Sequence, residues 1–149
     1  MPILQILKMG HPILRKKSLK VTNFSKAKEI AESMKETLKY IGASGLAAPQ
    51  VMINQRIIVY RINKERIPKK GQFTTRPWTY MINPIIKPIG SKKEMFWERC
   101  LSIPGLHGKV PRYKKIFVKY YTLEKKIIEH EAHSTWAALL QHEYDHLNG

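Results

Sequence analysis

Apolar side chains recur at helical spacing through Ala27, Ile30, Ala31, Met34, Leu38 and Ile41, with mostly polar residues between them. This rhythm predicts an amphipathic helix that Ser25 caps and Gly42 ends. Residues 45–50 follow as a turn into an extended segment. The stretches 56–62, 79–83, 116–121 and 125–129 are rich in β-branched or aromatic residues and predict strands. Pro84 and Pro88 imply an edge or an irregular path just after the second of these, and residues 63–77 read as a polar loop centred on Gly71. A terminal helix begins near Ser134 or Thr135, either of which can cap it, and Trp136, Leu139, Leu140, Tyr144 and Leu147 form its buried stripe. Strands before and between helices, without a βαβ rhythm, predict an α+β fold: antiparallel or mixed sheets packed around the terminal helix, whose polar corner faces a cleft.

The length of 149 residues predicts a single domain over 1–149, with no internal repeat and no interdomain linker. No apolar run is long enough for a membrane span, and the first eight residues lack the basic start of a secretory signal. One cysteine cannot form an internal disulfide, which points to a reducing compartment: the cytoplasm, or an organelle or host cytoplasm if the source is not bacterial. Lys and Arg number 27 against 11 acidic residues, a formal charge of +16. Two readings of that excess stand side by side, a solvated lysine-rich surface and a contact with nucleic acid or ribosome. No nucleic-acid-binding signature accompanies the charge.

The terminal helix carries His142, Glu143 and His146. At i and i+4 the two imidazoles share a helix face, about 40° apart, with the carboxylate about 100° round from the first. Two histidines for a metal and an adjacent glutamate as general base is the pattern of a metallohydrolase. The helix at the centre of the fold is therefore expected to be metal-binding. A catalytic site of this kind takes three protein ligands. Only Leu147, Asn148 and Gly149 follow His146, so the third ligand lies upstream, and Cys100 is the outstanding candidate. Basic neighbours favour its thiolate, and the Pro104-Gly105 turn that follows holds nearby backbone in place. Asp145, the single aspartate in the chain, either orients a ligand from behind or pins the helix to a basic residue; the second reading is slightly favoured. His11, His107, His130 and His133 lack a helical partner at ligand spacing and read as surface or structural.

Three segments together resemble the signature motifs of the peptide deformylase family. They are Gly45-Leu46-Ala47-Ala48-Pro49-Gln50, Glu98-Arg99-Cys100-Leu101-Ser102 and Gln141-His142-Glu143-Tyr144-Asp145-His146. The resemblance implies a metal-dependent hydrolase that takes the formyl group from N-formylmethionine at the start of nascent peptides and releases formate. It implies Cys100, His142 and His146 as ligands of one divalent ion and Glu143 as the acid–base residue. The Gln50 amide and the Leu101 N–H become the oxyanion donors, and Gly45 the point where the peptide backbone comes close. Ferrous iron is the physiological ion in many members, while zinc, nickel and cobalt suit the same donors. Arg99 stands where the family usually has glycine, so either the backbone there is ordinary or the side chain reaches outward to solvent or substrate. Ala43 likewise replaces a usual glycine. The resemblance is to a short form, since most members continue into a further C-terminal helix implicated in ribosome docking. Implied partners are the formylmethionyl peptide and a transient ribosome contact through the basic surface, with no membrane. Two other readings remain open: a small zinc peptidase that uses the terminal motif alone, and a non-catalytic basic protein of the translation machinery.

Overall fold

Residues 4–6, 12–62, 75–99 and 107–149 are described in this computed structural model. The first helix, α1 (Phe24–Ile41), starts directly after Asn23, whose backbone is extended and whose side-chain Oδ1 accepts the Lys26 N–H at 3.0 Å. Ser25, the expected cap, lies inside the first turn, because Asn23 already satisfies the open amide. Gly42 stops the helix as expected, with φ at 71° and its N–H donating to the Leu38 carbonyl at 2.8 Å.

Five strands form one antiparallel sheet in the order β1 (Gly45–Ala47), β2 (Ile57–Ile62), β3 (Arg76–Pro88), β6 (Lys115–Tyr121), β7 (Ile127–His133). β4 (Lys93–Arg99) and β5 (His107–Tyr113) pair separately, also antiparallel. The only parallel pairing among the described residues is an isolated bridge between Leu19 and Gln55. Alternation along β2 divides the core. Ile57 and Val59 pack with Ala27, Ala31, Met34 and Leu38 of α1, while Ile58, Tyr60 and Ile62 pack with Ala137, Leu140 and Leu147 of α2 (Ser134–Asn148). The two helices thus cover opposite faces of the sheet. α2 is also fastened to the small sheet: the Gln141 side chain accepts the Tyr113 N–H at 2.9 Å and donates to the Tyr113 carbonyl at 2.8 Å. The expected α+β arrangement, sheets around a central helix, is what forms.

Several expected boundaries move. β4 and β5 were not expected, because no apolar alternation marks them: the face of β4 turned to α2 carries Phe96 and Glu98. β3 runs straight past Pro84 in the interior of the sheet rather than at an edge. It is irregular there, as expected, through a register shift between Ile82 and Ile85 with Asn83 at φ 51°. Asn83 offsets that strained backbone by gripping Val21, accepting its N–H at 2.8 Å and donating to its carbonyl at 3.0 Å. β7 starts two residues later than expected, since Lys125 at φ 65° belongs to the preceding turn, and it continues into α2 without a loop. His133 therefore occupies the cap position, and neither Ser134 nor Thr135 caps the helix through its side chain. Residues 45–50 form β1 and then a 3-10 turn, Ala48–Val51. Most of the expected 63–77 loop lies outside the described residues, and Arg76 and Pro77 already belong to β3. Among the described residues no helix is long and apolar enough to cross a membrane.

The last turn of α2 is tied to the body of the protein. The Leu147 carbonyl accepts from the Ser18 N–H (2.8 Å), the Ser18 hydroxyl (2.9 Å) and the Arg56 guanidinium (3.0 Å), and Arg56 also donates to Asn148 at 2.9 Å. A cation at a helix C-terminus opposes the partial negative charge of the last carbonyls. Arg56→Ala is expected to lower the unfolding free energy by about 1–3 kcal/mol, the worth of hydrogen bonds from a charged donor. The measurement is the urea midpoint, with Lys28→Ala on the exposed side of α1 as a control that changes little. An equal effect of the two substitutions would show that the clamp is without consequence.

Candidate metal centre

His142, Glu143 and His146 lie on α2 with donor atoms all within 4.8 Å of one another. The two imidazole rings are 5.0 Å apart and nearly perpendicular. Glu143 is buried, 3% exposed, and its Oε1 stands 3.7 Å from His142 Nε2. His142 Nδ1 is 2.7 Å from Glu98 Oε1 and 3.4 Å from Arg112 Nη2. The shorter contact decides the tautomer: Nδ1–H donates to the carboxylate, which leaves Nε2 as the ligating nitrogen. Two imidazoles and a carboxylate, one imidazole oriented from behind by a second carboxylate, fit a divalent transition-metal ion.

Behind the histidine the network continues. Arg112 meets Glu98 bidentately, Nε to Oε2 at 2.9 Å and Nη2 to Oε1 at 2.8 Å, and its Nη1 donates to Asp145. Burial by itself would raise the Glu98 pKa. The hydrogen bonds from His142 and Arg112 and their positive charge overcome it and hold the carboxyl at about 2. Burial would likewise depress Arg112, and its two carboxylate partners instead push it upward. Asp145 pairs with a basic residue, the reading slightly favoured from the sequence, and that residue is the one that braces Glu98.

A cleft of about 270 Å³ opens beside these groups. Its floor is α2, through Ala138, Leu139, His142 and Glu143; one wall is Ala43, Ser44, Gly45 and Gln50; the other is Phe96, Trp97 and Glu98 on β4. β1 ends the five-stranded sheet. Because Arg61 N–H donates to the Ser44 carbonyl at 2.9 Å, the antiparallel alternation turns the amide and carbonyl of Gly45 toward the open edge. A Cβ on Gly45 would come within 3.1 Å of Leu139 Cδ1 and 3.2 Å of Glu143 Cγ, so any larger residue makes those side chains shift by a few tenths of an ångström. Gln50 is 1% exposed; its Oε1 accepts the Ala47 N–H at 3.0 Å, which identifies the other end of the amide as its NH₂ donor.

Gly45, Gln50, His142, Glu143 and His146 are thus gathered at one place. Cys100 and Leu101 lie outside the described residues. Arg99 ends β4 in register with His107, an ordinary extended backbone rather than a glycine-like one. Sequence reasoning passed over Glu98 and Arg112 as functional groups. Glu98 sat in a quoted motif at strand spacing from Cys100, a usable signal, whereas nothing separates Arg112 from the other cations. His130 is structural as expected, its ring stacked on Trp136 at 4.7 Å.

A family model described as polypeptide deformylase matches residues 3–149. Peptide deformylase 1 of Prochlorococcus marinus is 37% identical, covering 100% of this chain and 78% of that protein. The crystal structure of peptide deformylase from Thermotoga maritima aligns with a TM-score of 0.88 at 35% identity, covering 99% of this chain and 93% of the other. The Met-Ala-Ser-bound crystal structure of class I type b peptide deformylase from Acinetobacter baumannii gives 0.88 at 32% identity, covering 98% and 93%.

Removing a carboxylate that orients a metal-binding imidazole typically costs about 10–100-fold in metal affinity. Glu98→Ala is expected to weaken zinc binding by that factor in calorimetric titration. Glu94→Ala, which removes only the exposed partner of Lys114, is expected to leave it unchanged. Equal affinities in the two variants would show that Glu98 does not orient His142.

Proposed function

The chain belongs to the polypeptide deformylase family, metal-dependent hydrolases that remove the N-formyl group from nascent peptides, and we propose that Cys100, His142 and His146 hold its ion while Glu143 handles the proton. The observation that carries this assignment is the cluster on α2, with Nε2 of His142 beside Glu143 and Nδ1 locked by Glu98. Cys100 completes the donor set. Its support is that Glu98, two residues before it, already touches His142. A thiolate with two imidazoles suits ferrous iron, which we propose as the physiological ion, with zinc, nickel or cobalt able to take its place.

When bound, the ion supplies a water of lowered pKa and a positive charge next to the scissile amide. The rest falls to the protein. A formylated peptide lies as an added strand on the open edge of β1, with its backbone against Gly45. The methionine side chain fits the apolar corner made by Phe96, Ala138 and Leu139. Glu143 takes the proton from the attacking water and returns it to the departing nitrogen, so that the C–N bond breaks to formate and a free amine. Negative charge building on the formyl oxygen is met by the Gln50 amide and the Leu101 N–H, donors set in place before reaction. The retained product of such a cut is an unformylated methionyl peptide, and the Acinetobacter baumannii structure is of an enzyme bound to Met-Ala-Ser.

The excess of positive charge supports a transient contact with ribosomal RNA, and the single cysteine supports a reducing compartment, the cytoplasm, where formylated chains emerge. Co-sedimentation with ribosomes is expected to fall steeply between low and moderate salt. Flat binding across that range would remove the basic surface from the interaction.

Formyl-Met-Ala-Ser is expected to be hydrolysed while Met-Ala-Ser is left intact, which separates a deformylase from a general zinc peptidase. Cys100→Ala loses both metal and turnover, whereas Glu143→Ala keeps the metal and loses turnover. Gln50→Ala slows the chemical step by about 10²–10³-fold, as for one lost oxyanion donor. Full metal content and rate in Cys100→Ala would overturn the ligand assignment, and an unchanged rate in Gln50→Ala would remove that residue from the chemistry.

A further inference from the structure

Trp97 is 70% exposed at the mouth of the cleft, and Lys109, its partner across the β4–β5 ladder, holds its ammonium 5.3 Å from the indole ring. Leaving so much aromatic surface in water forgoes burial that the other two tryptophans partly obtain. The ring is also held in place, because a cross-strand neighbour on the same face of the hairpin packs on it. Met95, 57% exposed, shares that outer face two residues along the strand.

Alternation along β4 assigns sides. Phe96 and Glu98 belong to the inner side, where Glu98 reaches His142, so Trp97 stands on the other. A peptide strand running beside β4 obeys the same period. When its methionine points inward toward Phe96, Ala138 and Leu139, the side chain of the next residue points outward, to the side of Trp97.

We propose that Trp97, steadied by Lys109, is a specificity-determining residue for the second position of the formylated substrate, favouring a large apolar or aromatic side chain there. This rests on the deformylase reading and on the methionine entering the inner corner. The indole presents a flat apolar surface beside the path of the second side chain, and the cleft is continuous with it. Stacking of two rings is modest in free energy, so the effect is a preference and not an absolute requirement.

The test is kcat/KM for formyl-Met-Xaa-Ser peptides, with alanine, leucine and phenylalanine at Xaa, in the metal-loaded enzyme. Phenylalanine is expected to exceed alanine by about three- to tenfold, the size of one aromatic contact. Trp97→Ala is expected to collapse that ratio toward one, and Trp97→Phe to keep most of it. As a readout independent of turnover, the Trp97 indole N–H resonance in metal-loaded Glu143→Ala is expected to shift more with formyl-Met-Phe-Ser than with formyl-Met-Ala-Ser. Equal rates for all three peptides in the wild type, or a Trp97→Ala loss identical for phenylalanine and alanine, would overturn the proposal while leaving the deformylase reading intact. Failure to process any formylated peptide would sink both. An indole that shifts with neither peptide would also overturn it.

Discussion

The bond between Glu98 and His142 joins the two halves of this protein. One partner stands on the small β4–β5 sheet and the other on the helix that packs against the large sheet. Without it, the Gln141–Tyr113 contacts would still hold α2 to β5, but the His142 ring would lose its shortest contact from the small sheet. The interaction is stable because it is built in depth. A half-buried carboxylate is costly alone; Arg112 returns that cost with a bidentate contact, and Asp145 holds Arg112 in turn. Four residues from three elements thus form one charged chain whose inner end is a metal-binding nitrogen.

The same logic explains where so basic a chain spends its few acids. Of its 11 acidic residues, Glu98, Glu143 and the single aspartate stand at this centre. The surplus cations find other seats. Arg61 and Lys35 lie over Trp78, Arg76 lies 3.7 Å from the Trp136 ring centre, and Lys109 covers Trp97. Each such contact is worth roughly 0.5–1 kcal/mol at an exposed site, so a cation without a carboxylate is not thereby a cation waiting for RNA. Part of the basic surface therefore has a structural role, although its charge still adds to the field of +16.

What was legible in the sequence is what local geometry determines. Helical spacing revealed α1 and the face shared by His142 and His146, since both depend on residues three and four apart. β2 and β6 were visible because large apolar side chains crowd both faces of one and alternate along the other. The small sheet was hidden, because its inward face holds a glutamate whose partners sit 14 and 44 positions away, and no periodicity encodes a pairing across such separations. Arg112 was invisible for the same reason. Of the two paths expected past Pro84, an edge or an irregular course, β3 takes the irregular one, because a bulge removes the need for the missing N–H, and the bulge is held by Val21, from outside the sheet.

Glycine at position 45 shows how the two kinds of information meet. Its place in the first motif suggested a role toward substrate, close approach of a peptide backbone. The coordinates add a demand from the opposite side: the space a Cβ would need is taken by Leu139 and by the Glu143 side chain itself. The residue therefore makes room for the buried carboxylate behind it, on top of the proposed approach of a peptide strand along the β1 edge. A methyl group there presses on the Glu143 side chain, and in a close-packed interior such pressure is relieved by moving a side chain. The side chain to move is Glu143, which stands beside His142 Nε2, where the proposed proton transfer needs it. The close approach of β1 and the seat of Glu143 on α2 are thus one packing constraint, and a glycine meets it without displacing either neighbour.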